Sequence, residues 1–158
     1  DKDSGLAGVK LGGKWGYIDQ TGKIVINPQF DEIWGFDKDS GLAGVKLGGN
    51  WGYIDRTGKI VINPQFDESW GFDKDSGLAA VRLGGKWGFI DQAGNYVINP
   101  QFEGTGGFDN ETGLALVKLG GKWGFIDKTG KIVINPQFDI SDDPGKADSL
   151  DAILWSWG

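Results

Sequence analysis

KWGYIDQTGKIVINPQFD, residues 14–31, returns as NWGYIDRTGKIVINPQFD at 50–67, KWGFIDQAGNYVINPQFE at 86–103 and KWGFIDKTGKIVINPQFD at 122–139. Trp15, Trp51, Trp87 and Trp123 are each 36 residues apart. A fixed period of that size marks a repeat architecture before any other reading is attempted. The repeats are written 1–36, 37–72, 73–108 and 109–144; the first two differ only at Lys14/Asn50, Gln20/Arg56 and Ile33/Ser69.

Within one unit, Leu6–Leu11 reads as a strand, Gly12-Gly13 supplies the positive backbone angles of a tight hairpin, and Trp15–Asp19 returns as a second strand. Asp19 can bond its own downstream backbone and Gly22 can take a left-handed position, so Lys23–Asn27 continues as a third strand. Pro28 then removes a donor and is expected to stop the ladder. Successive strand residues point to opposite sides: Trp15 and Tyr17 share one face with Ile18 on the other, and Ile24 and Ile26 oppose Val25. Both faces are thus apolar. A lone meander cannot bury two faces, whereas a row of meanders can, each covering its neighbour.

The predicted fold is therefore all-β: a tandem array of four three-stranded antiparallel meanders in an open, solenoid-like stack. A small propeller-like ring is the alternative, since blades also bury both faces of an antiparallel sheet. After Phe138 the pattern fails, because Asp142, Asp143 and Pro144 stand where Trp34, Gly35 and Phe36 stood. The tail 145–158 reads as a C-terminal cap or docking segment. It is either a short helix with Leu150, Ile153, Leu154 and Trp157 at helical spacing, or a strand with Ile153, Trp155 and Trp157 on one side.

The motif G-L-A-x-V-(K/R)-x-G-G-K-W-G-(Y/F)-I-D-x-x-G-K-I-V-I-N-P-Q-F-D, at 5–31, 41–67, 77–103 and 113–139, resembles the WG-repeat family, also called KWG repeats, found chiefly in bacteria. The resemblance implies an accessory interaction or scaffold region without catalytic residues of its own. The connectors Phe36-Asp-Lys-Asp-Ser-Gly41 and Phe72-Asp-Lys-Asp-Ser-Gly77 are longer and more acidic than the family's usual link.

Composition narrows the chemistry. A net charge of −6 with 16 basic residues spread through the repeats offers no basic patch for phosphates or an anionic membrane surface, which argues against nucleic-acid and membrane partners. With no histidine and no cysteine, the usual general base, the usual nucleophile-base couple and the commonest metal ligands are all missing. Near-identical repeats also give their carboxylates near-identical surroundings, the opposite of what acid/base catalysis needs. The expectation is a protein that is not an enzyme and uses no cofactor.

The D-K-D-S-G loops place Asp37, Asp39, Asp73 and Asp75 as candidate oxygen ligands for calcium. Their glycine falls one place early for an EF-hand loop and no bidentate Glu follows at the right distance. They read instead as self-capped turns with no metal. Trp15, Trp51, Trp87 and Trp123 read as repeat core. Trp34 and Trp70, whose counterparts are Gly106 and Asp142, are the candidate binding surface. Three functions follow: a scaffold binding a protein partner, a self-associating, filament-forming structural protein, or a lectin-like binder of a glycan through the connector tryptophans.

Overall fold

The computed structural model describes residues 4–139. Among these every regular element is a strand, so no described helix is long and apolar enough to cross a membrane. The tail at 145–158, and with it the capping expectation, lies outside the described residues.

The strands form four antiparallel sheets. Sheet 1 comprises β1 (Ala7–Leu11), β2 (Lys14–Ile18) and β3 (Ile24–Phe30). Sheet 2 comprises β4 (Glu32–Ile33), β5 (Ala43–Leu47), β6 (Asn50–Ile54) and β7 (Ile60–Phe66). Sheet 3 comprises β8 (Glu68–Ser69), β9 (Ala79–Leu83), β10 (Lys86–Ile90) and β11 (Tyr96–Phe102). Sheet 4 comprises β12 (Gly104–Phe108), β13 (Ala115–Leu119), β14 (Lys122–Ile126) and β15 (Ile132–Phe138). The chain forms two compact units, Asp1–Pro100 and Gln101–Gly158.

The meander follows the expected turns. Gly12 and Gly13 adopt φ of 58° and 81°, closing the β1–β2 hairpin with Leu11 paired to Lys14. Asp19 Oδ1 accepts the Thr21 amide at 2.9 Å, the Thr21 hydroxyl at 2.6 Å and the Lys23 amide at 3.1 Å, fixing the β2–β3 turn.

Two features depart from the three-stranded unit. First, β3 runs through Pro28 rather than stopping there. Trp15 pairs with Phe30 but Tyr17 with Ile26, so the Asn27-Pro28 segment bulges across Gly16. A proline in that bulge removes no ladder hydrogen bond. A Cβ on Gly16 would lie 2.4 Å from the Ile26 carbonyl oxygen and 2.6 Å from the Pro28 nitrogen, both backbone atoms that cannot swing away. The glycine of each Trp-Gly pair is thus set by this backbone crossing, which recurs at Gly52, Gly88 and Gly124. A second shift pairs Ile18 with Ile24, and Ile24 and Val25, on the edge strand, are each 42% exposed while Ile26 is buried.

Second, the connector is itself a strand, and it pairs forward. Glu32 and Ile33 lie opposite Lys46 and Val45 of the following repeat, and Glu68 and Ser69 opposite Arg82 and Val81. Sheets 2, 3 and 4 therefore take their first strand from the repeat before. Asp31 locks the exchange: its amide donates to the Lys46 carbonyl at 2.8 Å, and its Oδ2 accepts the Gly48 amide at 3.0 Å.

In the first unit, Leu6, Tyr17, Ile26 and Phe30 of repeat 1 pack with Ala43, Val45 and Ile54 of sheet 2. One repeat later, Leu42, Tyr53, Ile62 and Phe66 pack with Ala79, Val81 and Ile90. Each buried Leu, Ile, Val or Phe among them contributes about 1.5–3 kcal/mol by leaving water, which is how repetition builds the core.

Candidate functional site

The connector tryptophans are placed by the forward strand. The Trp34 amide donates to the Gly44 carbonyl at 2.9 Å, and the ring crosses Gly44, whose absent side chain leaves room: a Cβ there would meet Trp34 Cε3 at 2.5 Å. Trp34 then stacks on Trp51, ring centroids 4.7 Å apart and planes 28° from parallel. Trp70 repeats the arrangement over Ala80 and Trp87 at 4.8 Å, with the planes opened to 44°. Trp34 and Trp51 are half-buried against the second core cluster, Trp87 is buried, and Trp70 remains 40% exposed.

Size is exchanged across this contact. Residues 34, 70 and 106 are Trp, Trp and Gly, while the facing residues 44, 80 and 116 are Gly, Ala and Leu. In sheet 4 a bulge at Gly106 sets Gly107 opposite Leu116, which is 4% exposed. A cleft of about 200 Å³ opens there between Gly106, Leu114 and Phe125. In sheet 1 the corresponding space over Gly8 and Trp15 is filled by Ile33, which reaches back from β4: a Cβ on Gly8 would lie 2.6 Å from Ile33 Cδ1. Ser69 takes the place of Ile33 one repeat later, where Trp34 already covers the glycine.

The basic residue paired across from each repeat tryptophan has two states. Lys46 and Arg82 meet connector acids, Glu32 at 3.0 Å and Glu68 at 3.6 Å, beside the stacked pairs. Gly104 stands opposite Lys118 and no connector stands opposite Lys10 among the described residues, and the two ammonium groups lie 5.9 Å from the Trp123 and Trp15 ring centroids. Trp15 and Trp123 are half-buried.

Other apolar side chains are open at recurring places. Ile24 and Val25, Ile60 and Val61, and Tyr96 and Val97 are each 37–42% exposed at the start of β3, β7 and β11.

The carboxylates serve the backbone. Asp37 Oδ2 accepts the Ser40 amide at 2.8 Å, Asp37 O accepts the Gly41 amide at 2.8 Å, and Ser40 Oγ accepts the Leu42 amide at 3.2 Å; Asp73 and Ser76 repeat this. Asp39 and Asp75 sit exposed in the same turns, and no group of three acidic ligands converges among the described residues. The Thr21 hydroxyl, followed by the Lys23 amide, holds Asp19 below the usual carboxylate range, and Thr57 and Thr129 lead the same effect on Asp55 and Asp127. Groups so shifted are permanent anions near neutrality.

A family model for a WG containing repeat matches residues 15–51, 51–87, 87–123 and 123–140. The chain belongs to the WG-repeat family. A comparison of this WG-repeat chain with curated proteins found no match. Among solved structures it is similar to a WD40 β-propeller domain of Doa1, at 11% identity and a TM-score of 0.40, covering 81% of this chain and 49% of that one. It is also similar to a protein of unknown function from Bacteroides caccae, at 16% identity and a TM-score of 0.36, covering 87% and 61%. The WG-repeat chain thus spans about half to three fifths of those two structures.

Proposed function

We propose that the chain is a non-catalytic repeat scaffold that binds a protein partner. The observation that carries this reading is the pair of exposed apolar side chains at the start of β3, β7 and β11, offered once per repeat by edge strands. The turn carboxylates Asp19 and Asp37 bond their own backbone, and the chain has neither the histidine nor the cysteine that most often serves as base or nucleophile. A photo-crosslinking residue at Val61 should capture a partner from cell extract, while the same residue at exposed Lys38 should not; equal labelling at both would defeat the proposal.

A lectin-like reading rests on Trp70, 40% exposed on its stacked partner. Under it, tryptophan fluorescence should respond to an oligosaccharide in the wild type and not in Trp70→Ala.

A further inference from the structure

Among the described residues the outer edge of β1 is open, and it carries the groups that receive a connector strand elsewhere. In sheets 2, 3 and 4 the first long strand, β5, β9 or β13, has a connector on its outer side, whereas among the described residues β1 has none. The receiving groups recur, with the capped amide on the first hairpin glycine in repeat 2 and on the second in repeats 3 and 4. The amides of Asp31, Asp67 and Glu103 donate to the carbonyls of Lys46, Arg82 and Lys118 at 2.8, 2.8 and 2.9 Å. The carboxylates of the same three residues accept hairpin amides from Gly48, Gly85 and Gly121 at 3.0, 3.1 and 3.0 Å. Repeat 1 presents the same set in Gly8, Lys10 and the Gly12-Gly13 hairpin, and its outer face copies a buried one: Ala7 is exposed and Val9 and Ile18 half-exposed where Ala43, Val45 and Ile54 are 1%, 0% and 0% exposed.

The matching donor is at the far end of the last repeat. Lys122 holds Asp139 at 2.6 Å, just as Lys14 holds Asp31 at 2.5 Å. Asp31 also caps the next hairpin, and its side chain is 35% exposed; that of Asp139, whose next-hairpin amide is absent among the described residues, is 74% exposed. The sequence that follows, Ile140-Ser141-Asp142, lacks the Glu and the Trp of the first two connectors, as does Gly104-Thr105-Gly106 of the third. Sheet 1 is already adapted to a strand of that kind. Ile33 occupies the space over Gly8 that a connector Trp would need, and Lys10 lies over Trp15 rather than meeting a Glu.

We propose that residues 139–142 of one copy of the chain add as a strand to β1 of a second copy, head to tail. Asp139 would cap Gly12, and Ile140 and Ser141 would face Lys10 and Val9 in the register that Glu32 and Ile33 keep with Lys46 and Val45. Strand addition at an exposed edge supplies main-chain hydrogen bonds, and the apolar outer face of sheet 1 supplies area. The proposal is independent of the scaffold reading, which uses the edge strands on the opposite side of each sheet.

Because the chain has no cysteine, single-cysteine variants report the contact directly. Val9→Cys and Ser141→Cys chains, mixed under mild oxidation, should form a mixed disulfide several-fold faster than Val25→Cys mixed with Ser141→Cys, and Asp139→Ala in the second chain should slow it. Far-ultraviolet circular dichroism of each variant should match the wild type. The molar mass of the wild type by light scattering should rise with concentration, and Lys10→Pro, which removes an outward-facing amide from β1, should abolish the rise. No mixed disulfide above the control would overturn the proposal. So would a disulfide found only within single chains carrying both cysteines, or a monomeric mass at every concentration.

Discussion

Trp34 stacks on Trp51 at 4.7 Å although the two belong to different repeats, and the glycine between them, Gly44, is what admits the ring. The same space is filled from opposite sides in successive sheets: by Ile33 over Gly8, and by Trp34 over Gly44 where Ser69 stands in for Ile33.

Ser69→Ile should therefore destabilise the wild type by about 1–3 kcal/mol through overpacking. In a Trp34→Ala background the same change should stabilise, because the isoleucine then refills the vacated space. Urea unfolding of the four chains of this double-mutant cycle measures the coupling; a Ser69→Ile effect of the same sign in both backgrounds would refute the exchange.

Gly52→Ala places a methyl group 2.5 Å from the Ile62 carbonyl oxygen and 2.6 Å from the Pro64 nitrogen. Backbone must move to accept it, and a loss of about 2–4 kcal/mol is expected. Gly71→Ala, with nothing within 4 Å of the added carbon, serves as the comparison and should change stability little.

Tyr53 is 1% exposed and its hydroxyl donates to the Trp70 carbonyl at 2.6 Å. Burial pushes its pKa up to about 12, the Ser69 hydroxyl pulling weakly the other way. The unfolded chain releases this proton near the usual value of 10.0, so the stabilisation is complete below that pH and drains away as pH rises toward 12. Melting temperature should fall across that window, and Tyr53→Phe should flatten the fall while costing about 1–2 kcal/mol at neutral pH by orphaning the carbonyl.

Repeat 3 lacks the threonine that bonds the turn aspartate elsewhere, since Ala93 replaces it. Ala93→Thr should restore a hydroxyl donor to Asp91, as Thr57 bonds Asp55 at 2.6 Å, and add about 0.5–1 kcal/mol to stability. Asp55 is depressed in the folded chain, so its contribution is present above the ordinary carboxylate value of about 4 and lost as pH falls below it. Thr57→Ala should soften the acid limb of the melting profile below about pH 4.

The hairpins were legible because each turn carries its own chemistry: Gly12-Gly13 at positive φ, and Asp19 with Gly22 closing the second turn. The connector strand was not. Two residues, Glu32 and Ile33, are too short for an alternating pattern, and their partners Lys46 and Val45 lie in the next repeat. The passage of β3 through Pro28 was hidden for a related reason. Proline breaks a regular ladder, but the room it needs is made by Gly16 on the neighbouring strand. The exchange of Trp34 and Trp70 for Gly106 and Asp142 marked the two tryptophans for a surface role in the sequence. The structure adds that residue 34, 70 or 106 varies with its facing residue, Gly44, Ala80 or Leu116, a covariation visible once strand pairing is known.

The forward loan of the connector strand also sets how such chains can lengthen. A 36-residue duplication inserted anywhere in the array hands its connector to the following sheet and accepts one from the preceding sheet, so every added copy arrives with its edges already matched. The number of connectors without a receiving sheet therefore stays constant as the array grows, and duplication in whole periods is close to neutral for folding. Duplication by any other length leaves a connector without a sheet.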